Sequence, residues 1–242
     1  MVCIAVEFLE SKDLADMTKD GRLLAIPKVL SIVASVAETL VYAHKQKAVH
    51  RDIKPANIMY DSDSGTVKVN DFGIARITDS GITKTGLVLG APSFMTPEQI
   101  AGKKVDGRSG LYSLGVMLFQ KLTGALPFRG DSMGELMYKI ADKDGPDIRI
   151  IRSELPVRLA DIVTLSIGKK PETRYQDGDQ FAADLRAFTS ESAAIPAAAA
   201  ATSIAVPGEP VTDTKKTLAS STTQQLSFEK TIAAQARTDL KL

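Results

Sequence analysis

The sequence predicts an α+β fold that is mainly helical. Five stretches carry apolar residues at helical spacing, and four of them follow residue 108. A short apolar run at 2–8 is β-prone, and residues 48–75 alternate β-prone runs with polar turns. This order is typical of a mostly helical domain whose loops and short hairpins present a site.

The N-terminal half predicts a strand, a long helix and small hairpins. Val2–Phe8 predicts the strand, and Leu14–Met17 predicts a brief helix after it. From Pro27 onward, apolar residues recur at i, i+3, i+4 and i+7, which predicts an amphipathic helix that ends near His44. Hairpins are expected next, with β-prone runs at 48–50, 57–60 and 66–69 around a polar turn at 61–65.

Residues 109–242 predict four helices followed by a tail. The helices are expected at Ser109–Leu122, Ser132–Ala141, Val157–Ile167 and Asp179–Phe188. Gly124 and Gly168 stand where helix C-terminal caps are expected. Residues 191–225 are rich in Ala, Ser, Thr and Pro and contain no aromatic residue, so they predict a disordered tail.

Composition limits the classes of function. A formal net charge of +1 argues against a protein that binds nucleic acid through a basic face. The single cysteine, Cys3, cannot form a disulfide framework, and this favours a reducing cytoplasm. No apolar run approaches the roughly 20 residues that span a bilayer, so no membrane segment is expected in this chain.

Three motifs occur in a fixed order. His-Arg-Asp-Ile-Lys-Pro-Ala-Asn occupies 50–57, Asp-Phe-Gly occupies 71–73, and Thr-Pro-Glu occupies 96–98. With these motifs the chain resembles the protein kinase family, whose catalytic loop, DFG element and APE element follow in the same order. The Gly-Ile-Ala-Arg and Met-Thr-Pro-Glu-Gln phrases resemble bacterial eukaryotic-like serine/threonine kinases.

The resemblance covers roughly residues 1–188 and implies a protein-kinase-like fold, mainly its helical C-terminal lobe with short hairpins at the catalytic loop. It implies that residues 1–10 form the last strand and hinge of the small lobe. Residues 11–189 would be the C-terminal lobe, and 190–242 the disordered tail. The implied location is cytoplasmic, either free or as the cytoplasmic part of a longer membrane-anchored kinase.

The resemblance also implies the chemistry. A kinase transfers the γ-phosphoryl group of ATP mainly by positioning and charge stabilisation. Asp52 would accept the proton of a protein Ser or Thr hydroxyl, and Lys54 would offset charge developing on the γ-phosphate. Asn57 and Asp71 would bind two Mg²⁺ ions, which prefer hard oxygen ligands. His50 is expected to pack and hydrogen-bond beneath the loop rather than to transfer protons.

The nucleotide cleft is implied by residues of the hinge and of the hairpin. The main chain of Glu7 and Leu9 would meet adenine, with Val6 as gatekeeper and Met59 as the floor from the large lobe. No counterpart of the family's glycine-rich loop, strand lysine or helix glutamate is found in the sequence. Oligomeric state is left open.

Two sets of residues have implied regulatory and structural roles. Arg51 before the catalytic Asp is the pattern of kinases that are switched by activation-loop phosphorylation, with Thr83 and Thr85 as the phosphorylated residues. The alternative is a flexible polar loop. Glu98 and Arg174 match a pair that forms a buried, bracing salt bridge in kinases, and loss of one partner would cost about 3–5 kcal/mol.

Two further positions depart from the family. Ala91 stands where relatives have a threonine that helps to hold the catalytic Asp and Lys, and Gly110 stands where they have an aspartate that braces the catalytic loop. Together with the missing cleft elements, these departures predict a chain that is inactive or nearly so. A pseudokinase scaffold that binds protein partners, and a nonfunctional gene remnant, are the alternatives.

Overall fold

The computed structural model describes residues 12–18, 23–72 and 91–194. The chain divides into two units, 1–196 and 197–242, and the second unit lies outside the described residues. The strand predicted at Val2–Phe8 and the tail beyond Ala194 also lie outside them.

Six helices and three short strands form the described part of the first unit, in agreement with the predicted α+β class. The strands are β1 (Lys12–Asp13), β2 (Ile58–Tyr60) and β3 (Val67–Val69). The helices are α1 (Ile26–Lys45), α2 (Pro97–Ile100), α3 (Gly107–Thr123), α4 (Met133–Asp142), α5 (Val157–Ser166) and α6 (Gly178–Ala194). Single 3-10 turns occur at Asp16–Thr18, Pro55–Asn57, Ala91–Phe94, Ile148–Ile150 and Pro171–Thr173.

The core lies between α1, α3, α5 and α6. Helix α3 is its centre, since nearly every side chain from Ser109 to Leu122 is buried. Helix α1 packs against α3 and α6 through buried residues that recur at helical spacing. Gly115 allows α3 to approach α5 closely, because a Cβ atom there would lie 2.3 Å from the hydroxyl oxygen of Ser166. This packed layer is the base on which the hairpin and the loops rest.

Helix α1 is also the one helix among the described residues that is long and apolar enough to cross a membrane. Half of its most apolar stretch is buried inside the protein. Core helices of globular domains pass the same test, so this observation is weak evidence for a membrane span.

The helix ends follow local chemistry. Gly124 ends α3 in the left-handed conformation, with φ of 75°, as a C-terminal cap should. Gly168 lies directly after Ile167, the C-cap residue of α5, as predicted, but it does not adopt the left-handed conformation. Its carbonyl oxygen accepts a hydrogen bond from Arg174 Nε at 2.6 Å, and a Cβ atom there would come within 3.1 Å of Thr173. Close packing, rather than the backbone conformation, therefore explains why a glycine occupies position 168.

Two other expectations for secondary structure are corrected. Residues 48–50 form no strand, because the amide of Ala48 closes the end of α1 by donating to the Ala43 carbonyl. Helix α6 continues past Phe188 to Ala194. The hydroxyls of Thr189 and Ser190 bond back to carbonyls one turn earlier, so these polar residues are accommodated within the helix.

The sheet is antiparallel, in the order β1-β2-β3. Its central strand β2 begins directly after the Pro55–Asn57 turn. Ile58 and Tyr60 on β2 are buried against the helical core, and Met59 points to the opposite, half-buried face. The hairpin thus fixes the segment before β2 and the segment after β3 next to each other.

Candidate active site

Three of the predicted catalytic residues meet at one carboxylate. Lys54 Nζ donates to Asp52 Oδ2 at 2.6 Å, and Asn57 Nδ2 donates to the same oxygen at 3.2 Å. Asn57 Nδ2 also donates to the Asp52 carbonyl at 2.8 Å. The side chains of Asp52 and Lys54 are 31% and 26% exposed, so the carboxylate lies at the surface of the domain. A hydroxyl group from solvent or substrate can therefore reach it.

The turn at Pro55–Asn57 places Asn57 under this carboxylate. Proline fixes its own φ angle at the first position of the turn, and the amide of Asn57 donates to the Lys54 carbonyl at 3.0 Å. The carbonyl of Asn57 accepts from the amide of Asn70 at 2.8 Å. Asn57 itself is only 5% exposed. Its side chain is held in place by the loop and by the β-hairpin together.

His50 links the catalytic loop to the segment that follows β3. The amide of Asp52 donates to His50 Nδ1 at 3.2 Å, while His50 Nε2 lies 2.8 Å from the carbonyl oxygen of Asn70. Since Nδ1 accepts a hydrogen bond, Nε2 carries the proton and the ring is neutral. Burial lowers the pKa of His50, although the bond to Asn70 and the charges of Asp52 and Asp71 oppose this effect. The ring is 1% exposed, and it packs and hydrogen-bonds beneath the loop.

Asp71 lies one residue beyond this anchored asparagine. Its φ angle is 56°, in the left-handed region that non-glycine residues seldom occupy. Phe72 follows, and its ring meets the ring of His50 edge-on at a centroid distance of 4.8 Å. Such backbone strain is common at functional sites. It turns the chain so that Phe72 packs against His50 directly after the carboxylate-bearing residue.

The residues present fit magnesium ions that are bound together with a nucleotide. Within 12–18, 23–72 and 91–194 no cluster of three or more His, Cys, Asp or Glu side chains could hold a metal by itself. Asn57 uses its amide nitrogen on Asp52, and its amide oxygen is the kind of hard ligand that Mg²⁺ prefers. Asp71 adds a carboxylate. Two oxygen ligands suit Mg²⁺, which usually completes its shell with phosphate oxygens and water.

Several predicted site residues are not described by the structure. Val6, Glu7 and Leu9 of the expected adenine site lie outside the described residues, as do the expected phosphorylation sites Thr83 and Thr85. Two others are described. Met59 lies half-buried on the face of the hairpin away from the core, and Arg51 is exposed next to Asp52. Their predicted roles stay predictions.

Glu98 and Arg174 form a buried, two-pronged ion pair. Arg174 Nη2 lies 2.7 Å from Glu98 Oε2, Nη1 lies 2.9 Å from Oε1, and the two side chains are 0% and 6% exposed. The remaining donors of Arg174 reach the carbonyls of Gly168, Lys169 and Arg108. Burial raises the pKa of Glu98, but hydrogen bonds from Arg174 and Ser109 outweigh it and hold the pKa below its usual value.

Sequence reasoning missed two residues around this pair. Ser109 Oγ donates to Glu98 Oε1 at 2.5 Å, which attaches α2 to α3. Gln99 Nε2 donates to the carbonyl of Arg51 at 2.9 Å, across 48 positions of sequence. The Thr96–Gln99 spacing of a capping box was visible in the sequence and points to the cap, though not to the contact with Arg51.

Gly110 lies beneath the catalytic loop. A Cβ atom at this position would be 3.4 Å from Leu40 Cδ1 and 3.6 Å from the carbonyl oxygen of His50. A longer side chain at position 110 would therefore point toward the loop backbone, in agreement with the bracing role expected for this position in relatives. In this chain, α3 offers no side chain there.

The sequence was compared with protein families and with known proteins, and the matches are to protein kinases. The protein kinase domain family matches residues 1–184. A probable serine/threonine-protein kinase, CPE1738 of Clostridium perfringens, is 38% identical over 183 residues, which are 75% of this chain and 27% of that protein. The kinase PknB of Mycobacterium tuberculosis is 37% identical over 185 residues, covering 75% of this chain and 29% of PknB.

Two further relatives extend the comparison. The kinase PknL of Mycobacterium tuberculosis is 34% identical over 191 residues, covering 78% of this chain and 48% of PknL. The crystal structure of the PknI kinase domain of Mycobacterium tuberculosis matches with a TM-score of 0.60 and 27% identity, over 75% of this chain and 64% of that one. The chain thus spans between about a quarter and a half of the length of these curated relatives.

Proposed function

This chain belongs to the protein kinase family, and from that premise we propose that it transfers the γ-phosphoryl group of ATP to Ser and Thr hydroxyls of proteins. The predicted kinase-like fold and the likeness to bacterial serine/threonine kinases are confirmed. The acceptor residue type is proposed from the names of the relatives, which are serine/threonine kinases, and from Lys54. Tyrosine kinases usually carry a different residue at the position of Lys54.

The contacts around Asp52 support this proposal most directly. Both side-chain hydrogen bonds that Asp52 accepts within the described residues reach Oδ2, from Lys54 and from Asn57. Oδ1 of the same carboxylate is then suited to accept the proton of a Ser or Thr hydroxyl and to orient its oxygen. A carboxylate on a rigid loop, with a cation beside it, meets the main requirement of phosphoryl transfer, which is positioning.

Lys54 and Asn57 have separate tasks in this mechanism. The ammonium group of Lys54 lies 2.6 Å from Asp52 Oδ2, and its flexible stem lets it offset charge on the phosphoryl group. Asn57 keeps the carboxylate and the loop backbone in place. Mg²⁺ and ATP, when bound, supply the phosphoryl group and neutralise its charge, and Asn57 and Asp71 are the residues proposed to hold the metal ions.

Regulation by phosphorylation is proposed as a finer point. The side chain of Arg51 is exposed directly before Asp52, where its guanidinium can pair with a phosphate. Phosphate on Thr83 or Thr85 would supply such a group. Mass spectrometry of protein purified from cells tests this. Phosphate on either threonine supports the proposal, and its absence from both contradicts it.

A non-catalytic scaffold that binds protein partners is the second candidate, and Gly110 is the observation that favours it. The carbonyl of His50 has no side chain from α3 beneath it, and the sequence also replaces the family's threonine by Ala91. Losing one preorganised group at an active site typically costs about 10²–10³ in rate. We therefore propose that transfer by this chain is very slow.

A single assay separates the two candidates. The purified chain is incubated with Mg²⁺ and γ-labelled ATP, and label is measured on the chain and on a generic basic protein. Asp52→Asn is the matched control, since it keeps the shape of the side chain and removes the carboxylate. Slow label incorporation that disappears in Asp52→Asn supports transfer. Equal label in both proteins, or label in neither, supports the scaffold.

A further inference from the structure

We propose that Gln99 is a positioning residue for phosphoryl transfer, which fixes the peptide unit before Asp52 to the start of α2. This inference rests on the proposed function of Asp52. Gln99 lies on α2, and its side chain crosses to the catalytic loop, where Nε2 donates to the Arg51 carbonyl at 2.9 Å. No other side chain from outside the loop donates to the loop backbone among the hydrogen bonds of the described residues.

Only an amide side chain fits this position. Gln99 Oε1 accepts from the amide of Thr96 at 2.9 Å, while Nε2 faces the carbonyl of Arg51. One neighbour is a donor and the other is an acceptor, so the orientation of the amide group is fixed by its surroundings. A carboxylate at this position could satisfy Thr96 but not Arg51, and an apolar side chain could satisfy neither.

The helix that carries Gln99 is itself firmly anchored. Thr96 and Gln99 form a reciprocal capping box at its N-terminus, and Thr96 is fully buried. The residue before Gln99 is Glu98, which Arg174 and Ser109 hold in the buried ion pair. Position 99 is therefore a rigid point from which a side chain can constrain a neighbouring loop.

The peptide unit that Gln99 contacts is held from both ends. The Arg51 carbonyl and the Asp52 amide belong to the same planar unit, because the peptide bond does not rotate. Gln99 binds its carbonyl, and His50 Nδ1 accepts from its amide at 3.2 Å. Asn57 binds the next carbonyl, that of Asp52, at 2.8 Å. Both peptide units that flank the Cα atom of Asp52 are thus fixed, and with them the direction of its carboxylate.

The test uses two substitutions of Gln99 in the whole chain. Gln99→Glu keeps the acceptor for the capping box and removes the donor to Arg51. Gln99→Leu removes both and introduces no charge, so an effect shared by the two variants cannot come from the new carboxylate. Gln180→Glu is the matched control, since Gln180 is an exposed residue on α6 far along the chain from the loop. Hydrogen exchange of the amides at 50–57 and at 96–101 is measured in each variant, together with the melting temperature.

We expect Gln99→Glu and Gln99→Leu to accelerate exchange in 50–57 by about three- to tenfold, the amount expected for one lost hydrogen bond. In Gln99→Glu, exchange in 96–101 changes less than exchange in 50–57, and the melting temperature falls by only a few degrees, as the loss of one hydrogen bond predicts. Where transfer is measurable, kcat falls by a similar factor while KM for ATP is unchanged, because only the direction of Asp52 is altered.

Two results would overturn the inference. Exchange in 50–57 that is the same in Gln99→Glu and in Gln180→Glu would show that Gln99 does not constrain the loop. Faster exchange with unchanged kcat in an active chain would show that the constraint does not serve transfer. A chain with no transfer at all contradicts the proposed function instead, and the exchange measurement still decides whether Gln99 holds the loop.

Discussion

Two carboxylate–cation pairs in this protein have nearly the same nitrogen–oxygen distance but differ greatly in their exposure to solvent. Lys54 lies 2.6 Å from Asp52 with side chains 26% and 31% exposed, and Arg174 lies 2.7 Å from Glu98 with side chains 0% and 6% exposed. Arg174 uses its guanidinium on carboxylate and backbone oxygens together. Within the part of the chain that the structure describes, Lys54 Nζ makes a single hydrogen bond, which can exchange for water or phosphate. Distance alone therefore does not separate a catalytic pair from a structural one. Burial does, because water screens the first pair and not the second.

Breaking the buried pair is expected to have the largest effect. Arg174→Met should lower the free energy of unfolding by about 3–5 kcal/mol, since Glu98 would be left buried and without its partner. Urea denaturation measures this. The double variant Glu98→Gln with Arg174→Met removes both charges, and we expect it to be less destabilised than the single variant. A loss below about 1 kcal/mol in the single variant would show that water reaches Glu98.

Lys169 is a half-buried cation. We expect its effect on the free energy of unfolding to lie between the effects of the buried and the exposed ion pairs. Its ammonium group lies 2.7 Å from the carbonyl of Ile140 at the end of α4 and 3.7 Å from the centre of the Phe128 ring. Burial lowers the pKa of Lys169 to about 8, and nearby Asp144 opposes this. The unfolded chain keeps a pKa near 10.4, so it binds more protons than the folded chain between the two values.

Stability should consequently rise as pH increases through the interval from about 8 to 10.4, by about 1–2 kcal/mol after allowance for partial exposure. Lys169→Met should lack this contribution. Burial also lowers the pKa of Lys121 to about 8, so the informative quantity is the difference in unfolding free energy between the unmodified chain and Lys169→Met at each pH. Parallel pH profiles would contradict the lowered pKa.

The long helices could be predicted from the sequence because their signals are local. Helix α1 begins one residue before the predicted Pro27, and Ser132 caps α4 where the pattern placed its start. Strand β1 at Lys12–Asp13 was missed, since two polar residues carry no β pattern and their partner β2 lies more than 40 positions away. Local pattern finds elements that are stabilised within themselves and misses those that depend on a distant partner.

The same distinction applies to the site. The motif identified Asp52, Lys54 and Asn57, which lie within six residues of one another and do meet at one oxygen. The contact from Gln99 to Arg51 spans 48 positions and only the folded chain reveals it. The motif contains the reacting groups and also His50 and Asn57, which help to orient Asp52. The remaining orienting contact, from Gln99, comes from another part of the fold.

Substitution of Gly110, which lies beneath the catalytic loop, is expected to change the free energy of unfolding by a smaller amount. A methyl group there would make ordinary van der Waals contact with Leu40, and the backbone has no conformation that requires glycine. Gly110→Ala should therefore raise the free energy of unfolding by about 0.5–1 kcal/mol through helix propensity, without a change in phosphoryl transfer. A loss of stability on urea denaturation would show instead that the space between α3 and α1 is already filled.

Breaking the exposed pair between Lys54 and Asp52 is expected to have the smallest effect on the free energy of unfolding and a large effect on the rate of phosphoryl transfer. Lys54→Met removes the partner of Asp52, but a pair this exposed contributes only about 0–0.5 kcal/mol to folding. Transfer, where it is measurable, should fall by about 10²–10³, because a charge-stabilising group is lost from the site. Melting temperature and labelled-phosphate transfer measured on the same preparation test both halves. A large drop in melting temperature would place Lys54 with Arg174 among the structural cations, and the contrast between the two pairs would then fail.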